Sequence, residues 1–328
     1  MDFDLTEDQK EIKRTAKDLL AARSPLDKVR AAAESGEYAP ELWKELSELG
    51  WPGIAVAEEH GGQGLGAVEL GILAEELGYA VAASPFLSTA TVAAIIQAAG
   101  SDEQRAKYLP GLASGEQTAG LGSAALCADG VGASVIVLVE GDDAILVDPA
   151  SADVEALTTI DSTRRYATVR GDGQQLGDSA SDRGAAAIAA EVVGLSQRAL
   201  DMTLEYVKDR KQFGTPVGAF QAVSHRCAEM LLHTESARST ALFAAWAADA
   251  AADRLPEAAA LAAAAAADGG REVTASAIQA HGGIGFTWEA DVHWLYKRAQ
   301  LDTALLGGAG RYRAKLARLA SGRVAAVT

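Results

Sequence analysis

Over the first third of the chain, apolar residues recur three to four positions apart from Leu5 to about residue 113, the spacing of a helix with one buried stripe. The run opens on Thr6-Glu-Asp-Gln9, which has the form of a capping box. Successive amphipathic helices are predicted there. They are interrupted at Glu58-Glu-His-Gly-Gly-Gln-Gly-Leu-Gly66, where four glycines fall within six positions and no helix can propagate. That segment reads as an irregular loop, either a solvated connection or the border of a site.

The period changes near Thr118. Ser134-Val-Ile-Val-Leu-Val139 and Ala144-Ile-Leu-Val147 are β-branched runs separated by a Gly141-Asp-Asp143 turn. The stretch to about Asp178 has room for one sheet of about four to six strands. From Ser181 the helical period returns, with helices predicted over about 182–209, 220–253, 256–281, 290–304 and 309–321. Residues 258–267 are so rich in alanine that neighbouring helices can approach closely, so the tract reads as packed helix without chemistry. The expected fold is mainly α with a small β domain: a helical region over 1–117, a reduced β region over 118–179 and a helical bundle over 180–328.

Composition narrows the function classes. Among 328 residues, 29 Lys and Arg stand against 45 Asp and Glu, a formal charge of −16 with no basic block. Nucleic acid and anionic membrane are therefore poor partners. Apolar residues make up 49% of the chain, which excludes a disordered protein. Two cysteines, Cys127 and Cys227, exclude a disulfide scaffold and read as buried thiols in a reducing, cytoplasmic setting. MDFDLTEDQK lacks the charged and apolar regions of a signal peptide, and no long uncharged apolar run is present.

Few residues carry chemistry by their local pattern. Arg210-Lys-Gln-Phe-Gly214 closes a predicted helix before Pro216, so Arg210 can clamp a phosphate bidentately or cap helix carbonyls. Gln221 falls at the start of the next helix, and Gln279-Ala-His-Gly-Gly283 ends another with a glycine pair that permits close backbone approach or a simple left-handed cap. His281, Glu289, Asp291 and His293 lack the regular spacing of a metal site, and no metal is expected. Ser181-Asp-Arg and Ser224-His225 place neighbouring residues on different helix faces, which rules out a nucleophile and base pair.

Together these pieces resemble the acyl-CoA dehydrogenase family over essentially the whole chain. The resemblance rests on Gly194-Leu-Ser-Gln-Arg-Ala-Leu200, on Tyr206-Val-Lys-Asp-Arg-Lys-Gln-Phe-Gly214 with Phe220-Gln-Ala-Val223, and on Gln279-Ala-His-Gly-Gly-Ile-Gly-Phe-Thr-Trp-Glu289. It implies that Arg210, Gln212, Phe213 and Gln221, with Gln279, Gly282 and Gly283, hold the ADP part of FAD. Residues 58–66 resemble the family's Glu-x-x-Gly-Gly-x-Gly loop near the acyl site, and Asp161-Ser-Thr-Arg-Arg165 resembles the end of its β domain. Family members oxidise acyl-CoA thioesters to trans-2-enoyl-CoA. A glutamate removes the α-proton while the β-hydrogen leaves as hydride to the flavin, and electron-transfer flavoprotein is the implied acceptor.

The chain departs from that pattern where the reaction occurs. Aligned on the family's Tyr-Glu-Gly segment, Leu306 falls under the tyrosine and Gly307 under the glutamate, and the alternative base position on the first bundle helix falls at Gly184. No catalytic residue is therefore assigned. The Thr-Glu-Pro and Gly-Ser-Asp stretch that lines the flavin ring is replaced by Gly120-Leu-Gly-Ser-Ala-Ala-Leu-Cys-Ala-Asp-Gly130, and Ala309 and Arg311 stand where Thr and Gln usually follow the glutamate. In the family the ADP end of each flavin is held by a neighbouring subunit. The resemblance thus implies a short subunit of the α2β2 type found in actinobacterial steroid side-chain breakdown, completing the FAD site of a larger homologous partner that carries the base. Two alternatives stay open: a self-sufficient homomeric enzyme using Asp182 or Glu191 as base, and a purely structural subunit. Asp182 also suits a helix N-cap, and Glu191 suits a helix position facing solvent or pairing with a cation.

Overall fold

The computed structural model describes residues 4–327, with side chains through Gly322; the first three residues of the opening segment lie outside the described residues. Six α-helices come first: α1 (Glu7–Arg23), α2 (Leu26–Ser35), α3 (Pro40–Glu48), α4 (Ala67–Tyr79), α5 (Phe86–Ala99) and α6 (Asp102–Ala113). The predicted capping box forms at α1, where Thr6 and Gln9 bond each other's backbone, and Ser101 with Gln104 repeats it at α6. Each box satisfies two amides that the first turn leaves open. One of these helices differs from the expected amphipathic type. Every residue of α5 from Phe86 to Ile96 is buried, and a helix apolar on all sides belongs inside the core.

Seven strands follow: β1 (Ala119–Ser123), β2 (Leu126–Ala128), β3 (Val135–Glu140), β4 (Asp143–Val147), β5 (Asp153–Leu157), β6 (Tyr166–Arg170) and β7 (Gln174–Gln175). Their order in the sheet is β5-β6-β2-β1-β3-β4-β7, with β1 parallel to β3 and the other pairs antiparallel. The sheet exceeds the expected four to six strands because β2 and β7 are only three and two residues long, too short to leave a periodic pattern.

The remaining helices are α7 (Ala180–Asp209), α8 (Gln221–Ala250), α9 (Leu255–His281), α10 (Val292–Leu305) and α11 (Ala309–Val327), with a small hairpin of β8 (Lys211–Gln212) and β9 (Thr215–Pro216) between the first two. Alanines 258–260, 262, 263, 266 and 267 are buried in the main core, which makes α9 the axis of the bundle. Small residues also set how α4 meets α7. A Cβ on Gly194 would lie 1.9 Å from the Glu75 carbonyl oxygen, and one on Gly78 would lie 2.2 Å from that of Glu191. Only glycine permits so close a crossing, and the crossing fixes the depth of Glu191.

Candidate flavin-nucleotide end of the bundle and a sealed junction

Helices α7, α8 and α9 run antiparallel, so the C-terminus of α7, the N-terminus of α8 and the C-terminus of α9 meet at one end. This topology brings Arg210, Gln212, Phe213 and Gln221 to the same end of the bundle as Gln279, Gly282 and Gly283, all exposed. Stacking of Tyr206 on His281, with centroids 4.5 Å apart, ties the two groups together. Arg210 sits at the α7 C-cap, and its guanidinium makes no ion pair among the described residues. Phe213 is 95% exposed, holds a left-handed φ of +52° and meets only the edge of Phe220 at 6.5 Å. Such a backbone is costly for a bulky residue. Gly282 has φ +65°, and nothing lies within 4 Å of where a Cβ would stand on it or on Gly283. A guanidinium without an ion pair, carboxamides at the same end of the bundle and open glycine backbone are a donor set that suits a pyrophosphate.

The positions of the family's bases lie elsewhere. Gly184, in the second turn of α7, faces Ile95 and Leu121, and it is roughly 39 Å along the helix from Arg210. Gly307 follows α10 with φ +76°, and a Cβ there would approach the Arg311 guanidinium at 3.4 Å. Residues 58–66 form one 3₁₀ turn, Glu58–His60, then fold back so that Gln63, Gly64 and Leu65 donate to the carbonyls of Gly53, Val56 and Ile54. The loop leads into α4, whose first amides, Ala67 and Val68, are capped by Asp249 at 2.8 and 3.1 Å. Asp249 is roughly 42 Å along α8 from Gln221. Within one chain, then, the loop and the nucleotide-type end are at opposite ends of the bundle.

Both carboxylates considered as alternative bases are engaged. Asp182 lies in the first turn of α7 rather than at its N-cap, which is Ser179. It is buried and accepts from Lys315 Nζ at 2.7 Å. Glu191 is also buried, not solvent-facing; it accepts from Arg164 Nη2 at 2.5 Å and lies 3.4 Å from Arg298 Nη1. Burial pushes its pKa up, but the two guanidiniums outweigh burial and hold it below the usual carboxylate range. A carboxylate held ionised this way is a weak proton acceptor.

The network around Glu191 joins β-region and bundle and was not legible from spacing. Arg298 is fully buried; its Nε donates to Asp161 Oδ2 at 2.7 Å and its Nη2 to Thr163 Oγ1 at 2.5 Å. Arg164 Nη1 donates to Asp302 Oδ1 at 2.9 Å. Burial and the neighbouring Glu191 charge push Asp302 well above the usual carboxylate range, the opposite direction to Glu191. Nearby, Asp129 accepts from Tyr38 at 2.5 Å and from Ser88. Cys127 and Cys227 are buried thiols, and burial raises the pKa of both.

Comparison with known proteins agrees with this architecture. Residues 6–116 match the acyl-CoA dehydrogenase N-terminal domain and residues 171–320 the acyl-CoA dehydrogenase C-terminal domain. The chain is 34% identical over 312 residues to the acyl-CoA dehydrogenase IpdE2 of Mycolicibacterium smegmatis, spanning 92% of this chain and 96% of that protein. Among solved structures, a variant of the Tcur3481-Tcur3483 steroid ACAD superposes with a TM-score of 0.85 at 28% identity, covering 97% of this chain and 99% of that one. The ChsE4-ChsE5 complex from Mycobacterium tuberculosis gives the same TM-score at 24% identity over the full length of both chains, a likeness of fold. The chain belongs to the acyl-CoA dehydrogenase family.

Proposed function

We propose that this chain is a subunit of a flavin-dependent acyl-CoA dehydrogenase that supplies the ADP-holding half of a flavin site completed by a larger homologous partner in an α2β2 assembly. The observation that carries this reading is the separation within the chain. The nucleotide-type end is open and donor-rich, while the two base positions are glycines and the alternative carboxylates are locked into ion pairs. FAD, when bound, accepts the hydride that leaves the β-carbon of the acyl thioester. Arg210 would hold its pyrophosphate charge, the carboxamides of Gln212, Gln221 and Gln279 would orient the adenosine, and Gly282 and Gly283 would let the nucleotide approach the backbone. The exposed Phe213 and Phe220 would be covered by the partner.

The α-proton falls, in this reading, to a carboxylate of the partner. A glutamate at Gly307 would be strained at φ +76° with the Arg311 guanidinium beside it, so Gly307→Glu alone is expected to give no α-proton exchange. The substrate class is an acyl-CoA thioester. The likeness to a steroid ACAD favours a bulky steroid side-chain thioester, and electron-transfer flavoprotein is the proposed acceptor. Arg210→Ala in the purified complex tests the assignment: bound FAD per complex should fall with the native mass unchanged. Unchanged FAD content would remove the role given to this end and favour a structural subunit.

A further inference from the structure

Where α7 meets α1, α2 and α4 lies a concavity of about 420 Å³, a size usual for ligand pockets. Its wall includes Arg198, which is roughly 18 Å along α7 from Arg210, so the cavity is separate from the nucleotide-type end. Leu20, Ala21, Leu26 and Ala80 give it an apolar lining, beside which stand Lys17 and Arg198. Neither cation has a carboxylate within ion-pair distance among the described residues, whereas Lys13 on the same helix as Lys17 pairs with Glu75 and Glu76. The Arg198 guanidinium is held in place: its Cζ lies 5.1 Å from the Tyr79 ring centroid, and Nη1 donates to Tyr79 Oη at 3.4 Å, while Tyr79 donates to Asp201. Ser24 is only 6% exposed and lines the cavity, yet its hydroxyl makes no hydrogen bond among the described residues and is not sealed from solvent. Buried hydroxyls are mostly hydrogen-bonded, so this one lacks a partner that a ligand can supply. Helix α2 starts at the same place without a side-chain cap, which leaves the amides of its first turn open.

Two cations without ion pairs, an unpartnered hydroxyl and an open helix start call for an anion. The apolar lining calls for a hydrocarbon body attached to it. The one carboxylate in the wall, Glu76, is already answered by Lys13, but it makes a second negative charge on the ligand unfavourable. A singly charged carboxylate therefore fits better than a phosphate. We propose that this cavity is an accessory site for a small amphipathic carboxylate: Arg198 and Lys17 hold the charged head, Ser24 Oγ donates to it, and the aliphatic body lies on Leu20, Leu26 and Ala80. The site goes beyond the flavin reading and does not rest on it. A ligand there touches the N-terminal helices and the bundle together, so its binding stabilises their joint.

The test is calorimetric titration of the full chain, in the assembly in which it purifies, with octanoate, acetate, octylamine and inorganic phosphate, the Tm being followed in parallel. Octanoate should bind and raise the Tm with concentration. Acetate lacks the body and octylamine carries the opposite charge, so neither should do so. Arg198→Gln should weaken octanoate roughly tenfold, the loss of a charged hydrogen bond, with an unchanged circular dichroism spectrum. Ala21→Phe fills the cavity from an exposed position on α1 and touches no charge; it should abolish binding, and it keeps the test decisive if Arg198→Gln fails to fold. Octanoate binding undiminished by both variants would put the ligand elsewhere and overturn the proposal. Acetate, octylamine or phosphate binding as tightly as octanoate, or no binding of octanoate, would overturn it too.

Discussion

The junction around Glu191 and the end around Arg210 are built from the same residue types to opposite effect. At the junction, Arg164 and Arg298 are enclosed and every charge meets an opposite one within the chain. At the open end Arg210 and Lys297 have no carboxylate partner among the described residues, and Phe213, Phe286 and Trp288 stand in solvent. A buried charge must be paired where it stands, so the junction is fixed by folding alone. Cations and aromatic rings left open have no such stabilising role and are available to a ligand or partner. The chain thus satisfies its own polar groups at the junction and leaves them open at the end around Arg210.

The sharpest way to break the contrast is Arg298→Ala. It leaves Asp161 without its cation in the interior, while Glu191 keeps Arg164, and should cost about 3–5 kcal/mol, read as a large fall in Tm. Arg298→Lys should recover only part, because an ammonium cannot reproduce the fork that spans Asp161 and Thr163. Gly194→Ala comes next: its Cβ would collide with the Glu75 carbonyl, and separating α4 from α7 should cost about 1–3 kcal/mol in denaturant unfolding. His293 gives a pH signature. Burial, then Lys297, pushes its pKa from 6.5 down to about 4, so the unfolded chain takes up the proton first. Stability should therefore decline as pH falls from about 6.5 towards about 4 and then level off, and His293→Gln should flatten that decline. Smallest of all, Phe213→Ser and Arg210→Ala should change the Tm of the lone chain by less than about 0.5 kcal/mol equivalent. A marked destabilisation by either would mean that the open end serves folding and would erase the contrast.

Much of the frame was legible in the sequence. The helix predicted over 256–281 is Leu255–His281, and Gln221 opens α8 as expected, because Pro and Gly punctuate both boundaries. Local pattern cannot show what folding alone brings together. Arg164 reaches Glu191 and Asp302 across 27 and 138 positions, so Asp161-Ser-Thr-Arg-Arg165 gave no hint of the junction. His293 was legible only as part of a weak metal pattern; its burial follows from the turn after α9. Glu191 was open between solvent and a cation partner, and the glycine crossing of α4 and α7 decided for the cation.

Whether this chain completes a partner's flavin site is read from native mass together with flavin absorbance per chain, for the chain alone and after co-expression with a homologous acyl-CoA dehydrogenase. The lone chain is expected to be colourless or insoluble, and the co-expressed protein a yellow heterotetramer holding about one FAD per pair of chains. A yellow homo-oligomer of the lone chain with about one FAD for each subunit would contradict it and move the search for the base back into these residues.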